Sequence, residues 1–134
     1  MSKRAETKTY FNAIEPIRDY KIDKISLTKL WTDGRHLFQS REVDRKDEIE
    51  KIVAKLVNVA EIEQFVASPS SARYVLEFFA GDQLILTIKT RGNIIDRAWK
   101  KGFVEDGGLT ILLDSFLSKV KRKKRDIATI IRTA

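Results

Sequence analysis

The chain contains no cysteine, one histidine, two prolines and one methionine. Without cysteine there is no zinc-thiolate centre, thiol nucleophile or disulfide framework, and a reducing compartment such as the cytoplasm is the expectation. With a single histidine and carboxylates scattered singly or along a polar helix face, neither a metal nor another cofactor is expected. Apolar runs are short. Nothing approaches the ~18–20 apolar residues of a membrane span, and Met1-Ser2-Lys3-Arg4-Ala5-Glu6 has no apolar segment behind it, so the sequence predicts neither a membrane span nor export. The glycines form no phosphate-binding motif, and no small-molecule substrate is indicated.

What is abundant is charge, and it is unevenly placed. The 134 residues carry a net charge of +7. Residues 119–134 hold seven Lys or Arg against one acid, and residues 1–8 hold three against one, which leaves 9–118 close to neutral. Charge of this kind bears on partners more than on fold. With 43% hydrophobic positions the chain is of one-domain size, and such chains bury about two thirds of their unfolded surface.

Alternation of Ile25, Leu27 and Trp31 predicts a strand, Asp33-Gly34 a two-residue hairpin turn, and 35–41 the partner strand. That register sets Leu30 opposite Leu37 and Trp31 opposite His36. Asp44 is placed to cap a helix whose Ile49, Ile52, Val53, Leu56 and Val57 recur at helical spacing, with Asn58 as its stop. A strand at 61–66 and the turn cluster Ser68-Pro69-Ser70-Ser71 lead to a second hairpin, 74–79 and 84–88, around Gly81-Asp82. A continuous two-residue register collects Val75, Phe79, Leu84, Leu86 and Ile88 on one face and Tyr74, Leu76, Phe78 and Ile85 on the other. Strands at 94–99 and 102–105 follow the Arg91-Gly92-Asn93 turn. After Gly107-Gly108, the residues Leu109, Leu112, Leu113, Phe116, Leu117 and Val120 predict a second amphipathic helix.

The order β-β-α-β-β-β-(β)-α predicts an α+β fold, an antiparallel sheet of about five to six strands with two amphipathic helices and a basic C-terminal extension. Residues 1–16 read as a loose arm from which Tyr10, Phe11 and Ile14 can dock, 17–118 as one domain, and 119–134 as a basic and apolar helical tail.

Catalytic constellations are weak. His36 is the one histidine, and a strand histidine packed on an aromatic explains it. Before Lys89, where a metal-dependent nuclease would place an acid, stands Thr87. Glu105 and Asp106 would repel an anion from the helix start at Gly107-Gly108. No enzyme is predicted.

The strongest nonrandom feature is Lys119, Lys121, Arg122, Lys123, Lys124 and Arg125. Cations favour a helix C-terminus and keep proteins soluble, which accounts for two or three of them. Six like charges within two helical turns repel one another, and a polyanion relieves that repulsion. Beyond them Ile127, Ile130 and Ile131 form an apolar stripe suited to the sheet or to a partner chain. A second cluster comprises Lys89, Arg91, Arg97, Lys100 and Lys101 with Asp96, a net +4 around Trp99. One strand over 97–103 would set Arg97, Trp99, Lys101 and Phe103 on a common face able to stack bases, or would be a solvated edge over a core Trp99 and Phe103. Two functions follow as expectations. The first is a noncatalytic binding module that engages nucleic acid or another acidic partner. The second is a protein-interaction module, an inhibitor, immunity or assembly factor or a homodimer, using an apolar sheet face and the isoleucines.

Overall fold

Two long hairpins, with strands of seven to nine residues, dominate the chain. The computed structural model describes residues 9–32, 36–61, 72–91, 94–97, 100–103 and 108–124, with the backbone course alone at Asp96, Arg97, Lys100, Lys101 and Phe103. The described strands are β1 (Tyr10–Phe11), β2 (Lys24–Trp31), β3 (Leu37–Val43), β4 (Val59–Glu61), β5 (Ala72–Ala80), β6 (Gln83–Arg91), β7 (Ile94–Arg97), β8 (Lys100–Phe103) and β9 (Lys123–Lys124). They form one antiparallel sheet in the order β1-β4-β8-β7-β6-β5-β2-β3-β9. Helix α1 (Lys46–Leu56) joins β3 to β4, and α2 (Gly108–Leu117) lies between β8 and β9. The fold is α+β as expected, and the short strands β1, β4 and β9 extend the sheet beyond five or six strands.

Both helices cover one face. Ile25, Leu27, Tyr74, Leu76, Phe78, Ile88 and Ile95 of the sheet share a core with Ile49, Ile52 and Leu56 of α1 and with Leu109, Leu113, Phe116 and Leu117 of α2. Each large side chain buried there contributes about 1.5–3 kcal/mol. Among the described residues no helix lies on the opposite face.

Two registers differ from expectation, each by one residue. In the first hairpin Leu30 pairs with Phe38, not Leu37. His36 takes a left-handed conformation, φ +56°, a region that histidine enters more readily than most residues. The connection is thus longer than the two-residue turn, and Gln39 and Arg41 share the inner face with Leu27. In the second hairpin Gly81 has φ +59° and turns the chain as expected, with its N–H held by the Asp23 carboxylate at 3.1 Å. The ladder then slips. Phe79 pairs with Leu84, but Phe78 pairs with Leu86, so Ile85 is an extra residue. Such a bulge moves every following side chain to the other face. Leu86 and Ile88 therefore join Leu76 and Phe78 inside, while Val75, Phe79 and Leu84 turn outward. The two apolar faces expected from a continuous register become one buried face and one mixed face.

In the N-terminal segment Ile14 is buried and Phe11 packs against the core, as expected; Ala13 is buried beside them, its N–H donates to the Leu56 carbonyl at 2.9 Å, and β1 pairs with β4. Two further expectations are corrected. Asp44 does not cap α1. Its N-cap position is Arg45, which makes no side-chain cap bond, and Asp47 and Glu48 supply the acidic first turn instead. The strand expected at 61–66 begins earlier, at Val59, and its remainder lies outside the described residues.

Candidate nucleic-acid interface

Gln39 and Arg41 are polar residues at inner positions of β3, where a core residue would ordinarily stand. They face the end of α2. Gln39 Nε2 donates to the carbonyls of Leu117 at 3.1 Å and Val120 at 2.7 Å, and Arg41 Nη1 donates to that of Phe116 at 3.1 Å. Arg41 Nη2 reaches both Glu48 oxygens at 2.9 and 3.2 Å, and its guanidinium stacks over the Phe116 ring. The last carbonyls of a helix lack intrahelical donors, and here sheet side chains supply them. Helix α2 consequently stops at Leu117.

Residues 119–124 of the basic run are therefore not helical, contrary to the sequence reading. Lys119 lies in a turn, Lys121 and Arg122 belong to neither helix nor strand, and Lys123–Lys124 form β9, pairing Lys123 with Phe38 and Lys124 with Leu37. In β9 extended backbone spaces successive residues by about 3.3 Å against 1.5 Å in a helix, which lowers repulsion between Lys123 and Lys124. Lys119, Lys121, Arg122, Lys123 and Lys124 are all exposed. Among the described residues none of them is ion-paired, whereas Lys24, Lys29, Arg41 and Arg45 are.

Arg122 anchors this segment. Its guanidinium sits 4.8 Å from the Trp31 ring centroid, and the Lys29 ammonium lies 4.7 Å from the same ring. Trp31 is only 5% exposed, so it serves as a mount for Arg122 and offers no surface to a base. Lys29 Nζ also reaches Asp114 Oδ1 of α2 at 3.0 Å, and the Tyr74 hydroxyl donates to the same oxygen at 2.5 Å. Burial, the hydrogen bond to Asp114 and its negative charge hold the Tyr74 phenol well above its ordinary pKa. It stays protonated at neutral pH and serves as a hydrogen-bond donor tying α2 to the sheet.

The second cluster is arranged differently from the single strand considered above. Arg97 pairs with Lys100 and Asp96 with Lys101, so the chain reverses between β7 and β8 and the proposed common face of 97–103 does not form. Trp99, Arg125, Ile127, Ile130 and Ile131 lie outside the described residues. His36 is partly buried beside β3. Among the described residues no three His, Asp or Glu side chains converge, and no helix is long and apolar enough to cross a membrane.

Sequence reasoning missed Lys29, Trp31, Gln39, Arg41, Tyr74 and Asp114 as the group that positions the basic segment. The available signal was the pair Gln39 and Arg41, two polar residues at alternate positions of a strand whose neighbour Ile25, Leu27 and Trp31 is apolar at the same spacing. No protein-family model, curated protein or solved structure matches the chain.

Proposed function

We propose that the protein is a noncatalytic binding module whose basic segment engages the phosphates of a nucleic acid. The observation that carries this reading is the exposure of Lys119, Lys121, Arg122, Lys123 and Lys124 without a carboxylate partner among the described residues. Unpaired cations held on a fixed backbone release the counterions of a polyanion without first breaking internal ion pairs. Arg122 on Trp31 and the pairing of β9 with β3 limit the entropy lost when the segment is ordered by a partner. Phosphate contacts of this kind position the protein and read no sequence.

Five phosphate contacts correspond to a log–log salt slope of about −4.5 on duplex DNA, and to a loss of affinity of roughly 500-fold between about 50 and 200 mM salt. The test is fluorescence anisotropy with random duplex DNA across that range, on the full chain and on the variant Lys119→Gln, Lys121→Gln, Lys123→Gln, Lys124→Gln. The variant is expected to flatten the slope by about 3.6. Binding that ignores salt, or a variant with the parent's slope, rejects the reading.

A further inference from the structure

The sheet has an outer face with its own charge pattern. Lys123 of β9 pairs with Phe38, Phe38 with Leu30, and Leu30 with Arg73. All four alternate with inner-face residues, so they form a row across four strands. Because Tyr74 pairs with Thr90, Arg73 stands beside Arg91. Lys89 follows two residues along the same strand, opposite Val75. Three strand spacings of about 4.8 Å separate Lys123 from Arg73, roughly 14 Å, with an aromatic and an aliphatic side chain between them. None of Arg73, Lys89, Arg91 and Lys123 is ion-paired among the described residues, although the backbone register sets Asp96 beside Lys89. Two acids of this face, Glu42 and Glu77, flank Ser26 towards the other end of the strands, and Glu42 is engaged by Lys24, while a third, Asp96, takes the register position opposite Lys89.

Resting on the nucleic-acid reading above, we propose that this outer face is a binding platform for single-stranded nucleic acid, with Phe38 stacking a base between phosphates held by Lys123 on one side and Arg73, Arg91 and Lys89 on the other. Cations flanking a partly exposed aromatic, on a sheet face that no described helix covers, match an alternating chain of phosphates and unpaired bases. A duplex keeps its bases stacked inside and gives Phe38 nothing to stack upon. The basic segment on β9 then serves both ligands, and the platform selects the single strand.

The test compares an oligothymidylate of about 12 nucleotides with a duplex of about the same length, using the full chain, Phe38→Ser, and Arg73→Gln combined with Lys89→Gln, each variant checked by circular dichroism. Phe38→Ser is expected to weaken single-strand binding by roughly 5- to 150-fold, the range for loss of one stacked base. The Arg73→Gln, Lys89→Gln variant, whose positions bear no core packing, is expected to flatten the single-strand salt slope by about 1.4 and to leave duplex affinity within about twofold. Single-strand binding unchanged in both variants, while the parent still binds duplex in a salt-dependent way, overturns the platform and leaves the basic-segment reading standing. No binding of the parent to either ligand at about 50 mM salt overturns both. A dimer by light scattering that Phe38→Ser dissociates without altering oligonucleotide affinity assigns the face to a second copy of the chain and also overturns the proposal.

Discussion

Replacing Arg41 with methionine tests whether the sheet holds the end of α2. Methionine keeps an apolar stem against Phe116 and removes the guanidinium. The Phe116 carbonyl then loses its 3.1 Å donor, and Glu48, whose side chain is 15% exposed, loses both of its bonds. A hydrogen bond to a charged group contributes about 1.5–3 kcal/mol, and leaving a partly buried carboxylate unpaired adds to the loss. Because the Arg41 side chain is 32% exposed, solvent screening reduces the ionic part, and the net cost is about 2–3 kcal/mol. With a urea m-value near 2 kcal/mol/M, that is a fall in the unfolding midpoint of about 1–1.5 M. Adding Glu48→Gln to Arg41→Met neutralises the stranded acid and should recover about 1 kcal/mol relative to additive single effects. Urea unfolding followed by tryptophan fluorescence measures all four proteins. A loss below about 0.5 kcal/mol for Arg41→Met, or strict additivity in the cycle, refutes the clasp.

Gly102→Ala is expected to destabilise by at least about 2 kcal/mol, since its Cβ would stand 2.2 Å from Val59 Cγ1 and 2.8 Å from the Phe11 ring. Val59→Ala should relieve part of that loss in a thermal melt of the double variant, and a fully additive pair would contradict the close approach. Tyr74 supplies a pH test. Its phenol pKa is raised on folding, so above about pH 10 the unfolded chain releases a proton that the folded protein retains. Stability from this group is complete below pH 10 and falls as pH rises, by up to about 1.4 kcal/mol per unit. Tyr74→Phe should remove that component of the slope between about pH 9.5 and 11, and parallel curves for the two proteins would exclude it.

The elements readable from the sequence are those specified by local pattern. Ile49, Ile52 and Leu56 define α1, Leu109 to Leu117 define α2, and Gly81-Asp82 locates the second hairpin, because helical spacing and turn chemistry act over a few residues. Registers were not readable. Whether Phe78 faces Leu86 or Ile85 depends on the choice between an unbroken ladder and two more buried aliphatic residues, and burial prevails at the expense of one bulge. The docking of Ile14 was legible, but the bond from Ala13 to the Leu56 carbonyl joins residues far apart along the chain, which periodicity cannot see. The same holds for the candidate site. The exposure of Lys121 to Lys124 follows from composition, but their non-helical course goes with Gln39 holding the Leu117 and Val120 carbonyls. The mount beneath Arg122 is Trp31, ninety-one positions earlier.

Strand β3 touches solvent, helix and basic segment at once. Phe38 points outward, Gln39 and Arg41 grip α2 from within, and Lys123–Lys124 pair with its first two residues, Leu37 and Phe38. Load applied to the terminal lysines is thus borne by the same few peptide units that keep the final helical turn wound. Any molecule that grips those lysines stiffens the helix end in equal measure, and unwinding that turn loosens the grip, a reciprocity that amide exchange at Phe116 and Leu117 would register.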